Sequence, residues 1–287
     1  VTEIIDNLKR SVYTLSEVIG PRPYHQVRAL EEAVEYITSE FRRYGYTPSC
    51  QSYEAGGRIY RNVYVEIRGK SDRLLIIGAH YDTVDGTPGA DDNASGVAGM
   101  LELARLLRDG SFNHSIQFIA FPLEEPPFFY TKKMGSYQYA RSLYEEGREV
   151  TGMICLESIG YFTDSEGSQN FPFPVFRWFY PERGNFIALI GNIRSRAFLN
   201  GVKEAFREGT DMPVESLSTV SLIPGVDFSD HRSFWKFGYN AIMVTDTAFY
   251  RNPNYHGPGD TPDTLDYPRM AEVIKGLRRA LEEIATH

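Results

Sequence analysis

Three short runs, Leu74–Ala79, Ile116–Phe121 and Met153–Leu156, are almost wholly apolar. Each is followed within three residues by a histidine or a carboxylate: His80, the pair Glu124 and Glu125, and Glu157. A continuous apolar run of strand length suits a strand covered on both faces, as in a parallel sheet. In open α/β sheets ligands bind just beyond the carboxyl ends of the strands. Acids and imidazoles at several successive strand ends have little packing purpose, whereas a pair of divalent cations beside a general base needs such residues. This pattern points to a metal-dependent hydrolase.

The rest of the chain keeps the alternation that such a sheet requires. Ile4, Leu8, Val12, Leu15 and Ile19 recur at helical spacing, as do Leu30, Val34, Ile37 and Phe41, with Gly20-Pro-Arg-Pro breaking the chain between them. Strands are expected at Tyr46–Ala55, Tyr60–Ile67 and Ala241–Thr245. Helices are expected at Asn93–Leu107, Gly135–Tyr144 and Arg194–Arg207, and in a closing segment that carries Ile274, Leu277, Leu281 and Ile284. Strands alternating with helices predict an α/β fold, a single domain over residues 1–287 whose central sheet, mostly parallel or mixed, is flanked by helices. Phe162–Asn185, rich in aromatics and prolines, breaks the rhythm. A segment of that length is expected to be a substrate wall, an oligomer contact or a satellite cluster packed on itself.

A formal charge of −8 disfavours a nucleic-acid partner, and no stretch reaches the roughly 20 apolar residues of a membrane span. Cys50 and Cys155 form no metal-type spacing; a buried free thiol is expected at Cys155, inside an apolar run, in preference to a disulfide. The segment opens at Val1 without a basic-then-apolar leader or an initiator Met, as after leader removal or trimming. The compartment stays open between secreted, periplasmic and cytoplasmic. Asn93-Ala-Ser and Asn113-His-Ser match the glycosylation pattern, but the first falls inside the expected metal site and neither is expected to carry a glycan.

Four clusters carry the chemistry. In Gly78-Ala-His-Tyr-Asp82, Asp82 is placed to accept the other ring N–H of a metal-bound His80. In Gly89-Ala-Asp-Asp-Asn-Ala-Ser-Gly96 small residues let the backbone turn tightly around Asp91 and Asp92, although an ordinary helix cap would look similar. In Phe121-Pro-Leu-Glu-Glu-Pro126 one acid is free to take a metal and the other a water, against the plainer reading of a solvated loop pair. Glu157 closes a buried run, which is costly for an unpaired charge. The fourth cluster, Tyr255-His-Gly-Pro-Gly-Asp260, brings His256.

Taken in order, HYD at His80–Asp82, GADDNASG at Gly89–Gly96, EE at Glu124–Glu125, GSYQYA at Gly135–Ala140, LESIG at Leu156–Gly160, SDHRSF at Ser229–Phe234 and YHGPGDT at Tyr255–Thr261 resemble the M28 family of zinc aminopeptidases. GPRP at Gly20–Pro23 resembles the family's opening segment, and the likeness spans nearly the whole chain. The resemblance implies a zinc-exopeptidase (phosphorylase/hydrolase-like) architecture and two zinc ions, with cobalt or manganese as chemically acceptable substitutes. It implies that Asp92 bridges the ions, that His80 and Glu157 complete one site, and that Glu125 and His256 complete the other. It makes Glu124 the general base, Asp82 the orienter of His80 and Tyr255 an oxyanion stabiliser. It also suggests a cis peptide at Asp92–Asn93.

Asp230 is a candidate for substrate contact or for support of the ligands, and His231 is expected to be structural. The expected substrate is a peptide with a free N-terminus, whose amine would meet Glu124, Glu157 or Asp230. Two departures stand out. Many relatives have Asp where this chain has Glu157, and Pro126-Pro-Phe-Phe-Tyr-Thr-Lys-Lys-Met134 is inserted beside the site. Rival readings are a one-zinc glutaminyl cyclase, a non-catalytic module of the same fold, and a carboxypeptidase or dipeptidase. Oligomeric state and the preferred N-terminal residue are left open.

Overall fold

The computed structural model describes all 287 residues. After helices α1 (Thr2–Tyr13) and α2 (Val27–Arg43) come strands β1 (Ser49–Ala55), β2 (Arg58–Ile67) and β3 (Ser71–His80). Then follow α3 (Gly96–Leu107), β4 (His114–Phe121), α4 (Gly135–Glu145), β5 (Val150–Glu157), β6 (Ile187–Asn192), α5 (Arg196–Gly209), β7 (Val214–Thr219), α6 (His231–Lys236), β8 (Ala241–Thr245) and α7 (Tyr267–Thr286).

The strands form one sheet in the order β1-β2-β4-β3-β5-β8-β6-β7. The central pairs β4–β3, β3–β5 and β5–β8 are parallel, while β1–β2, β2–β4 and β6–β8 are antiparallel. The expected mixed α/β architecture is thus present. Every residue of β4, and Leu74–His80 of β3, is buried, which is the physical reason those runs show no polar alternation.

Burial is uneven between the two faces. The larger core joins α1, α2, α3, α5 and α7 to one face through residues such as Ile77, Ile154, Leu189 and Val244. A smaller core under α4 and α6 gathers Ile76, Phe121, Met153, Cys155 and Met243 on the other. That second cover does not extend over β6 and β7.

Chain order leaves β3 in one direction to reach β4 and in the other to reach β5, so the strand order reverses around β3. A crevice opens at such a point beyond the strand carboxyl ends. There the chain emerges into the loops that follow His80, Phe121 and Glu157.

Candidate metal centre

His80 ends β3, Glu157 ends β5, and Glu124 and Glu125 follow β4, so the three parallel neighbours deliver their side chains to one edge. Asp92 arrives from the turn preceding α3, and His256 from the loop preceding α7. Five expected ligand residues, scattered from position 80 to 256, meet in two triplets that share Asp92. His80 Nε2 lies 3.2 Å from Asp92 Oδ1 and 3.3 Å from Glu157 Oε2. His256 Nε2 lies 3.0 Å from Asp92 Oδ2 and 3.4 Å from Glu125 Oε1. Glu124 Oε2 stands farther off, 3.9 Å from His80 Nε2.

This arrangement fits cations better than it fits itself. A tetrahedral ion with bonds of about 2.0–2.2 Å to nitrogen and oxygen requires donor–donor edges of about 3.3–3.6 Å, close to the spacings seen. His80 Nε2, Asp92 Oδ1 and Glu125 Oε1 are buried and have no hydrogen-bond partner. Four carboxylates (Asp92, Glu124, Glu125 and Glu157) face two imidazoles. Even with both rings protonated, two buried negative charges would remain uncompensated, a costly state without cations.

The electrostatics reflect that excess. Burial pushes the Glu124 carboxyl well above its usual range; His80 opposes the shift, while Glu125, Glu157 and Asp230 add to it. Burial, with Asp92 nearby, lifts Glu125 to about 8. Burial works against ionised Asp92, but the neighbouring imidazoles of His256 and His80 outweigh it and hold that carboxyl well below normal. His256 rises to about 10: burial disfavours its charge, and Asp92 and Glu125 more than repay it.

Two further carboxylates act on backbone. Asp82 Oδ1 and Oδ2 accept the N–H groups of Glu124 and Glu125 at 3.2 and 3.1 Å. Asp260 does the same for Asp91 and Asp92 at 2.8 and 3.1 Å. Each pair of consecutive acids is therefore clamped by one remote carboxylate. This modifies the expectation for Asp82. His80 Nδ1 lies 3.1 Å from the Asp82 carbonyl and 3.5 Å from its carboxylate, so the backbone oxygen is the ring's nearer partner.

The Asp92–Asn93 peptide is cis, and buried Asn93 bonds the Leu156 carbonyl and the N–H groups of Gly96 and Ser158, which leaves no room for a glycan. Ser229 donates to Glu157 Oε2 at 2.6 Å and lies 3.2 Å from the thiol of Cys155, which is buried and free as expected.

The cavity at the centre is lined by Asp92, Glu124, Glu125, Glu157, Tyr255 and His256, with Pro126 and Phe129 of the inserted loop and Phe228 and Phe249 at its sides. Tyr255 stacks on the His256 ring at 3.9 Å between centroids. Asp230 does not line it. Its side chain is 0% exposed, neither oxygen has a hydrogen-bond partner, and burial lifts its carboxyl to about 7. The expectation of substrate contact at Asp230 is corrected accordingly: the residue lies behind the ligands, where the chain entering α6 folds under β5.

Next to it, His231 donates through Nε2 to the Val226 carbonyl, 2.8 Å away, and packs edge-on against Trp235. Burial lowers its pKa to about 4, against about 6.5 for a free histidine. Above pH 6.5 neither state binds a proton there. As pH falls from 6.5 to 4 the unfolded chain protonates first, so folding stability drops, by up to roughly 3 kcal/mol. Urea unfolding in excess chelator, which removes the effect of metal loss, should show this slope in the native chain and a smaller one in His231→Gln. Equal slopes would reject it.

Arg22 was missed in the sequence. Fully buried within Gly20-Pro-Arg-Pro, its guanidinium donates to the carbonyls of Tyr81, Leu15, Gly20, Pro88 and Gly89. It thereby ties the N-terminal turn to both the His80 and the Asp92 loops. An arginine between prolines was the only signal. The role of Asp260 is likewise not readable from its Gly-Asp-Thr motif, because it depends on contact with residues 168 and 169 positions away.

Residues 62–281 match the description Peptidase family M28. The uncharacterized protein YfbL of Escherichia coli (strain K12) is 44% identical over 280 residues, covering 95% of this chain and 86% of that protein. Leucine aminopeptidase 1 of Trichoderma harzianum is 27% identical over 240 residues, covering 79% of this chain but 54% of that protein, so the chain spans about half its length. Among solved structures, BSAP, a zinc aminopeptidase from Bacillus subtilis, superposes with a TM-score of 0.76 at 16% identity, covering 99% of this chain and 95% of that one, a likeness of fold. By the extent of its family match and the identity to its bacterial relative, the chain belongs to Peptidase family M28.

Proposed function

We propose that the protein removes N-terminal residues from peptides by metal-dependent hydrolysis, with Glu124 as general base. The observation that carries this reading is the pair of donor triplets sharing Asp92, with a fourth carboxylate, Glu124, that belongs to neither of them and groups instead with His80 and Glu125. His80, Asp92 and Glu157 would hold one ion, and Asp92, Glu125 and His256 a second. Zinc suits these nitrogen and oxygen donors. When bound, such a pair supplies an acidified water and polarises the scissile carbonyl.

The protein's own groups do the rest. Glu124 takes a proton from the attacking water and returns it to the departing amine. Its burial raises its basicity, as a general base requires. Asp82, by fixing the N–H groups of Glu124 and Glu125, keeps the base and its neighbour pointing apart. Tyr255 lines the cavity with its ring braced on His256, so its hydroxyl is available to the developing oxyanion. Glu157 and Glu124 offer the negative partners that a free α-amine requires.

The test is metal analysis together with hydrolysis of free-amine and N-blocked peptides, before and after chelation. Two equivalents of metal and cleavage confined to free-amine peptides, lost on chelation and restored by zinc, are expected. Cleavage of blocked peptides alone would overturn the reading. Cyclisation of an N-terminal glutamine peptide at one equivalent of metal would replace it with the cyclase.

A further inference from the structure

A second cavity, open to solvent, adjoins the metal centre and shares Glu157 and Tyr255 with it. Its floor is the sheet. Glu157 on β5 is in register with Thr245 on β8, Thr245 with Ala188 on β6, and Ala188 with Glu215 on β7. Directly opposed residues project from the same face of a sheet, so these four side chains make one row across four strands. The row covers three inter-strand steps, roughly 14 Å. The neighbouring row on that face, Met243, Ile190 and Leu217, is apolar and also lines the cavity.

No α-helix covers this part of the face; α5 packs on the opposite one. The aromatic excursion takes its place, with Phe171, Phe176 and Tyr180 forming a roof together with Phe228 and Phe249. Part of the segment Phe162–Asn185, between Gln169 and Tyr180, therefore walls this cavity, while Trp178 and Phe179 stay exposed.

Besides Glu157, Glu215 is the only charged residue of the lining. Lys203 on α5 is near enough to feel its charge, yet bonds Ser216 Oγ at 2.9 Å instead. Ser216 is in register with core residue Leu189, on the far face of the strand. The cavity thus begins at a ligand carboxylate of the metal centre and ends at an unpaired carboxylate, with only Thr245 and Ala188 between them on the floor.

We propose that this cavity receives the side chain of the substrate's N-terminal residue and selects a long cationic one, lysine or arginine. The inference rests on the aminopeptidase reading above. With the α-amine at the Glu157 end, a four-carbon stem lies over Thr245 and Ala188 beneath the aromatic roof, as amphipathic stems do on apolar surface. The charged head meets Glu215. A leucine side chain stops short of Glu215 and gains nothing from it.

The experiment compares kcat/KM of the metal-loaded protein on lysyl, arginyl, leucyl, phenylalanyl and alanyl p-nitroanilides. Lysyl and arginyl substrates are expected to lead leucyl by about tenfold or more. Glu215→Gln and Glu215→Ala should each erase that lead while leucyl hydrolysis stays within twofold, which also shows that the variants are folded. A leucyl or phenylalanyl preference in the native protein, or a lysyl-to-leucyl ratio unmoved by both variants, would overturn the assignment of Glu215 and leave the aminopeptidase reading standing. Failure to cleave any of the five would defeat that reading and this inference with it.

Discussion

Glu124→Gln is expected to lower turnover by roughly 10²–10⁴, with metal content and stability held near those of the native protein. The substitution keeps the shape of the side chain and removes its ability to take a proton. It should spare the metals because Glu124 lies outside both triplets that share Asp92, at 3.9 Å from His80 Nε2, whereas the triplet contacts run from 3.0 to 3.4 Å. The neighbouring substitution separates base from ligand. Glu125→Gln removes one charged donor from the His256 triplet and is expected to lose metal as well as rate. If Glu124→Gln turned over at the native rate, or lost metal as Glu125→Gln does, the roles of the two acids would have to be exchanged or abandoned.

Asp92→Ala should do the most damage. Asp92 offers one oxygen to each triplet, 3.2 Å from His80 Nε2 and 3.0 Å from His256 Nε2, so its loss weakens both sites at once. Removing the metal contribution forfeits several kcal/mol of transition-state stabilisation, roughly 10³-fold or more in rate. Metal analysis should show both equivalents reduced, in contrast to His256→Ala, where one is expected to remain. An Asp92→Ala protein that keeps two equivalents would exclude a shared ligand. The variant also leaves His80 and His256 without the carboxylate that each faces, and circular dichroism in the presence of excess zinc distinguishes lost metal from lost fold.

Much of the architecture was legible from periodicity. β3 and β4 are buried on both faces, so their composition carried no competing signal, and the strands ended within a residue or so of where their apolar runs do. Boundaries slipped where the cause was local. β1 begins at Ser49, not Tyr46, because the residues after Gly45 run as connection before pairing with β2 starts. The helix expected from Asn93 begins at Gly96, because Asp92 and Asn93 adopt non-helical backbone angles around the cis bond.

The non-glycine residues at positive φ were invisible in the sequence. Leu123, Ser158 and His256 each sit in or next to a ligand loop. Such conformations are rare away from glycine and gather at functional sites.

What the sequence determined by itself was the inventory: an alternating α/β chain with acids and imidazoles stationed at the ends of buried strands. Apolar runs and their termination are local properties, readable one segment at a time. What only the tertiary structure decided was partnership. Asp82 clamps the peptides of Glu124 and Glu125, Asp260 those of Asp91 and Asp92, Asp230 retires behind the ligands, and Glu215 shares a floor with Glu157. These relations join residues up to 169 positions apart in the chain. They depend on strand order and register, which follow from how the whole set of apolar faces can be buried at once.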